Sequence, residues 1–222
     1  MRKNLATHDP SGPSKPGQAI RALRNKLGLT LQEVSQRTGL AISTISKLEM
    51  GRASLSYEKL SLVSAGLGVN MSELLGLLGD SPGSEAAAPS VPGRRVIQRQ
   101  GEGVAVRTGP YVETFLAVEL LNKQLVPLIV DVRARTIQEF TTEFGGLIRH
   151  SGEEFIYILE GEVEFHTDFY APVRLKQGES VYFDSSMGHA FLAASEGSCR
   201  LLSVCTDPDQ EQRVIDQVQN QE

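Results

Sequence analysis

Cysteine is scarce in this chain, with two among 222 residues. That excludes a disulfide scaffold and fits a reducing compartment, so a cytoplasmic location is expected. Long apolar runs are missing too. Nothing approaches the roughly 18 residues of a membrane span. The opening stretch, MRKNLATHDPSGPSKPGQ, has no apolar segment of the secretory kind, so no membrane partner is expected. There is no Walker loop, no GxSxG and no HExxH, which leaves no ready-made nucleotide, serine-hydrolase or zincin chemistry. No internal repeat is present. An excess of positive charge, the usual mark of nucleic-acid binding, is also missing overall: the net charge is −5.

The distribution of charge reverses that last point. Residues 1–80 carry 10 Lys/Arg against 6 Asp/Glu, a balance of +4, whereas residues 81–222 carry 12 against 21, a balance of −9. A basic head on an acidic body implies that only the head meets phosphates.

The head is organised around TLQEVSQRTGLAISTISKLEMG, residues 30–51. Thr30 with Glu33 three residues on is a capping-box pattern that starts a helix. Leu31, Val34 and Ser35 share one face, and Gly39 supplies the left-handed stop. Leu40 plugs the space before a second helix, Ile42 to Glu49, with Ile45 and Leu48 inward and Ser43, Thr44, Ser46 and Lys47 outward. Gly51 ends it. A helix from about Gly17 to Leu27 precedes the pair, with Ile20, Leu23 and Leu27 as its stripe. Ser54 or Ser56 starts a fourth helix with Leu60, Leu62, Val63 and Leu67 inward, closed by Gly68. Asn70 caps a fifth, with Leu74, Leu75 and Leu78 as its core face.

Two short helices joined by a tight turn read as a helix-turn-helix whose second member enters the major groove. Residues 17–78 resemble the XRE family of phage-repressor-like regulators, through Arg21, Arg24, Gly28, Leu29, Thr30, Thr38, Gly39, Ser43, Ile45, Ser46, Glu49 and Gly51. The resemblance implies that Ile42, Ser43, Ser46 and Lys47 contact base edges, that Thr44 and Arg52 hold phosphates, and that Arg24 and Glu49 form an internal ion pair. The family often opens the first helix of the pair with a phosphate-holding Gln. Leu31 stands there in this chain, and Gln32 follows one residue later as the candidate.

Residues 1–16 read as a flexible arm. Residues 79–95, GDSPGSEAAAPSVPGRR, read as a linker, being rich in Pro, Gly, Ser and Ala with little apolar bulk. From about Val96 the period shifts from 3.6 to 2. Strands are expected at Val104–Arg107, Val112–Glu119, Val126–Arg133, Phe155–Leu159, Val163–His166, Val181–Phe183, Ala190–Ala194 and Cys199–Cys205. That pattern predicts a sandwich or barrel over residues 96–222. The final QEQRVIDQVQNQE reads as a short helix or frayed tail.

Within this second domain, GGLIRHSGEEFIYILEGEVEFHTD (145–168) and LKQGESVYFDSSMGHAF (175–191) resemble the cupin family, a small jelly-roll barrel. His150, Glu154 and Gly161 match its first motif, and Gly178 and His189 match its second. Asp184 and Ser186 replace that motif's Pro-x-Gly. Ile148 stands where the family has its first metal-binding His. The resemblance therefore implies a pocket of His150, Glu154, His189, Ile148 and Phe191, and two outcomes. His150, Glu154 and His189 hold a divalent metal such as Zn, Fe, Mn or Ni, or the polar groups bind an organic ligand directly. A buried hydrogen-bond network without any ligand is the third possibility. Cys199 and Cys205, six apart on one strand, share a face and read as a core pair. Arg133 and Arg135 read as surface charges, or as holders of a ligand carboxylate if they face inward. His166 lies outside the motif spacing. Some of Phe155, Tyr157, Tyr182 and Phe191 line the barrel, and parity alone does not say which.

The fold expected is a multidomain α plus β chain: a five-helix DNA-reading domain and a C-terminal cupin barrel. The function implied is that of a transcriptional regulator, a repressor by family habit. Its homodimer would bind a palindromic double-stranded operator and respond to a small effector related to amino acids or amines. A metal-dependent cupin enzyme fused to the head, and an antitoxin-like protein-interaction module, are the alternatives from other classes.

Overall fold

The computed structural model describes residues 15–78, 93–121 and 123–206. The expected arm over residues 1–16 falls outside them up to residue 14, as do most of the linker and the terminal tail; Lys15 and Pro16 are instead the first residues of a helix. The head holds α1 (Lys15–Lys26), α2 (Leu31–Thr38), α3 (Ile42–Glu49), α4 (Tyr57–Leu67) and α5 (Met71–Leu78). Both halves of the Thr30–Glu33 capping box form, and Gly39 closes α2 at φ 71°. Ser56 caps α4, whose end is Gly68 at φ 70°. Ile20, Val34, Ile45, Leu48, Leu60, Val63, Leu74 and Leu75 are all at most 2 % exposed and fill the space between the helices.

Two expectations about the head are corrected. Leu27 is 43 % exposed, because α1 stops at Lys26 and its last residues turn toward α2. Leu29 packs against the core there instead. Leu62 is half-buried, off the α4 face that carries Leu60, Val63 and Leu67. The Arg24–Glu49 ion pair forms with two-pronged geometry, Nε to Oε1 at 2.6 Å and Nη2 to Oε2 at 2.9 Å. It ties α1 to α3 and so fixes the tilt of the outward helix.

The body is two antiparallel sheets. Strands β1 (Val104–Arg107), β2 (Tyr111–Phe115), β3 (Leu125–Val132), β4 (Glu153–Glu160), β7 (Ser180–Asp184) and β9 (Cys199–Thr206) form a six-stranded sheet in the order β1-β2-β3-β9-β4-β7. Strands β5 (Glu162–Thr167), β6 (Val173–Lys176) and β8 (His189–Ala193) form the second, ordered β6-β5-β8. Burial alternates along β3, β4 and β9, as a one-face-in sheet requires. Two elements were not anticipated. Helix α6 (Ile137–Phe144) is started by a Thr136–Glu139 capping box and buries Phe140 against Tyr111. Edge strand β6 is short and mostly exposed, its Val-Arg-Leu-Lys alternation burying only part of Leu175. The two sheets are joined at Tyr111, whose hydroxyl donates to the Phe191 carbonyl at 2.9 Å and accepts from the Phe191 amide at 2.8 Å.

Candidate functional site

On the head, α3 presents Ile42 (46 % exposed), Ser43 and Lys47 to solvent. Arg52, just beyond it, and Gln32 at the start of α2 are exposed as well, while Thr44 and Ser46 are half-buried. The exposed set lies on one side of a helix whose other side, Ile45 and Leu48, is locked in the core. Met50, rather than Gly51, caps α3; Gly51 follows in the left-handed conformation at φ 67°.

Strand register assembles the second site. Glu154 on β4 faces Cys205 on β9, and Ile156 faces Ser203. Glu113 on β2 shares that inner face. From the opposite sheet come His189 and Phe191 on β8. Ile148 is bridged to His189 by paired backbone hydrogen bonds of 3.0 and 2.9 Å, which deliver its apolar side chain and the neighbouring His150 to the same place. A cavity of about 40 Å³ lies among these residues, closed on another side by Tyr57.

Glu154 is the centre. Its Oε2 lies 3.2 Å from His150 Nε2 and 3.4 Å from His189 Nε2, and its Oε1 accepts from the Ser203 hydroxyl at 2.6 Å. Burial opposes ionisation of Glu154, but His150, His189 and Ser203 outweigh it and hold the carboxyl below its ordinary range. Burial lowers His189, against the opposing pull of the Glu154 charge and the Met187 carbonyl. Glu113 behaves oppositely: burial, reinforced by the charge on Glu154, pushes it up to about 8. Its Oε2 has no hydrogen-bond partner among the described residues. Burial and the same charge raise the Cys205 thiol well above its usual value.

The ring protons decide what this knot can accept. His150 Nδ1 lies 3.2 Å from the Ser151 carbonyl and His189 Nδ1 lies 2.9 Å from the Met187 carbonyl. A carbonyl only accepts, so each Nδ1 carries a hydrogen. Each Nε2 is thereby aimed at the Glu154 carboxylate, where it donates a hydrogen bond when it carries a proton and offers a lone pair to a bound cation when it does not. A backbone carbonyl fixing Nδ1–H is how proteins orient metal-binding imidazoles. His150, Glu154 and Cys205 also place one ligand atom each within 4.8 Å of one another. The donor set therefore fits a divalent metal in spite of Ile148, with His150 and Glu154 common to any arrangement and His189 or Cys205 completing it. Zinc tolerates imidazole, carboxylate and thiolate together.

The remaining sequence leads separate cleanly. Phe191 is buried, stacked on Phe165 with centroids 4.7 Å apart, and lines the cavity. Phe155, Tyr157 and Tyr182 point outward. Arg133 and Arg135 are exposed, and Arg135 donates to the Ser195 carbonyl, so neither serves the cavity. His166 pairs with Glu164 at 2.7 Å. Both cysteines are buried and unbridged, as the shared face requires, but Cys205 belongs to the cavity and not only to the core. Glu113, Ser203, Cys205 and Tyr57 were missed. The parity of β9 carried the signal for Ser203 and Cys205; nothing local marked Glu113 or Tyr57.

The helix-turn-helix family model matches residues 20–74, and the cupin domain model matches residues 141–205. Residues 20–74 are thus similar to helix-turn-helix domains and residues 141–205 to cupin domains. The HTH-type transcriptional regulator PuuR of Escherichia coli (strain K12) is 26 % identical over 191 residues, spanning 86 % of this chain and 94 % of that one. Among solved structures, an HTH_3 family transcriptional regulator from Vibrio cholerae superimposes with a TM-score of 0.53 at 18 % identity, covering 90 % of this chain and 98 % of that one. Hydroxypropylphosphonic acid epoxidase from S. wedmorenis is a looser likeness, with a TM-score of 0.42 at 22 % identity over 89 % of this chain and 100 % of that one. The likeness to the Vibrio regulator is one of fold and runs over most of both chains. No helix among the described residues is long and apolar enough to cross a membrane.

Proposed function

We propose that the protein is a DNA-binding transcriptional regulator, a repressor, whose cupin barrel binds a small effector and thereby changes operator affinity. The observation that carries the reading is the exposed polar and basic set of α3 and its C-terminal turn, Ser43, Lys47 and Arg52, held rigidly by a buried opposite face. Ile42, Ser43, Ser46 and Lys47 read base edges in this proposal, while Gln32, Thr44 and Arg52 hold phosphates. The relatedness to PuuR, a transcriptional regulator, supports it.

The effector site is the cavity around Glu154. His150, Glu154 and His189, with Cys205, hold a divalent metal there, and Glu113 supplies a second, unpartnered carboxyl. Two buried carboxyls suit a ligand that brings positive charge or N–H donors, an amine or amino-acid derivative. A homodimer on a palindromic operator follows from the two-fold spacing that a helix-turn-helix pair needs. A metal-dependent enzyme is the second reading, favoured by the imidazole–carboxylate set; stoichiometric metal together with turnover of an organic substrate would replace the first with it.

The test is DNA binding by the Ser43→Ala, Lys47→Ala double variant on an operator selected from random duplexes by the parent protein. Loss of about 1–3 kcal/mol per base contact is expected, with the fold intact by circular dichroism. Parental affinity in the variant would sink the assignment of α3.

A further inference from the structure

The cavity is too small for the ligand the barrel is proposed to take. About 40 Å³ is room for a metal ion or on the order of two or three waters, whereas sites for organic ligands run to several hundred Å³. What closes it comes from the DNA-reading domain. Tyr57 is the first residue of α4, fixed by the Ser56 cap just before it. It is 6 % exposed, with its ring edge-on to the His150 imidazole at 4.7 Å and roughly parallel to Phe115 at 6.3 Å. Next to it, Lys59 Nζ lies 6.0 Å from the centre of the Phe144 ring. Glu58 is raised by burial, with Lys59, His150 and Arg149 as the charges facing it. Helix α4 thus spends its first turn on the barrel and the rest of its length on the head's core.

We propose that Tyr57 is a stopper in the barrel, so that an organic effector seated against His150 and docking of the DNA-reading domain on the barrel exclude each other. Effector binding then displaces the ring, and α4 carries the displacement to α2, against which it packs through Gly66 and Thr38. Ligand and docked head compete for one place, which is a coupling free energy between two sites with a named two-state element. The closed form also lowers apparent effector affinity by the fraction of time the ring is in. The inference rests on the barrel's proposed sensing role for its purpose, but not for its test, which uses neither DNA nor effector.

Cys205 lines the cavity and Cys199 does not, so the two thiols report access and global loosening separately. In the full-length, chelator-treated protein, where no metal shields Cys205, iodoacetamide labelling of each thiol is followed by peptide mass spectrometry. Tyr57→Ala is expected to speed Cys205 labelling roughly tenfold or more, an ordinary coupling magnitude, with Cys199 unchanged. Tyr57→Phe, which keeps the ring, labels at the parental rate. Should Tyr57→Ala fail to fold, Lys59→Glu loosens the docking while leaving Tyr57 in place, and about a two- to fivefold acceleration at Cys205 is expected from loss of the cation over Phe144. An unchanged Cys205 rate in the folded variant, or equal acceleration of both thiols, overturns the proposal and leaves the DNA-reading assignment standing.

Discussion

Glu113 holds its proton to about pH 8 because burial and the neighbouring Glu154 charge both disfavour its anion. In the unfolded chain the same carboxyl ionises near its ordinary value. Between those two values the folded state binds the extra proton, so stability falls as pH rises, by about 1.4 kcal/mol for each pH unit the carboxyl is raised. Glu113→Gln removes that dependence. In chelator-treated protein, urea unfolding should show the variant more stable than its parent by a few kcal/mol at pH 8 and nearly equal to it at pH 4; a constant difference across that range would contradict the burial assignment. Loss of Glu154 should act otherwise. Glu154→Ala leaves two imidazoles without their shared carboxylate, and metal uptake measured by elemental analysis should disappear while the recognition helix keeps its DNA affinity. Metal retained at parental stoichiometry would place the ion elsewhere.

Among the elements, α2 and α4 pack so closely that a side chain is excluded at one position. A Cβ on Gly66 would meet Thr38 Cγ2 at 2.2 Å. Gly66→Ala is expected to cost about 1–3 kcal/mol, the usual penalty of overpacking, and Thr38→Ser in the same chain should restore much of it by removing the obstructing methyl. Thermal unfolding of the two single variants and the double would check this, and strict additivity would show that the two groups do not touch. Helices α2, α4 and α5 were legible because Thr30, Ser56 and Asn70 mark their starts, and Gly39 and Gly68 mark the ends of α2 and α4. The body was legible strand by strand, to within a residue or so at most ends, except that β2 stops at Phe115, short of Glu119, because Leu116 and Ala117 begin the turn into β3. Helix α6 was overlooked although Thr136 and Glu139 spell a capping box, since its apolar residues lie between two long apolar strands. Strand β6, Val173–Lys176, alternates apolar and charged residues over only four positions, with Leu175 alone packed on the core, too short a run to stand out.

At the scale of the whole molecule, the outer face of the six-stranded sheet carries large apolar side chains that the other described residues leave exposed. Phe155 (37 % exposed) sits in register with Tyr182 (61 %) on one side and Val204 on the other; Tyr157 (39 %) lies beside Leu202. A second copy seated on this stripe would make the proposed homodimer. Phe155→Glu combined with Tyr182→Glu should shift light scattering from dimer toward monomer at micromolar concentration and weaken operator binding in step. A parental dimer would move the interface to another surface. Operator binding itself should fall with salt as counterions are released, since the basic excess is confined to residues 1–80.

The helix-then-strand order of the chain, the starts and stops of α2 and α4 and the outward face of α3 were legible in the sequence, and the resemblance to the cupin family pointed to His150, Glu154 and His189. The helix signals rest on short-range rules, since caps and periodicity act within a few residues, whereas the cupin residues were given by the family resemblance. Tertiary structure alone decided which residues share the cavity. Glu113 and Cys205 are 92 positions apart and meet because β2, β3 and β9 are neighbours in one sheet. Tyr57 reaches His150 from another domain, through the way α4 lies on the barrel. No local signal encodes such meetings, because strand order and domain docking are set by the summed burial of many side chains and not by the residues that end up in contact.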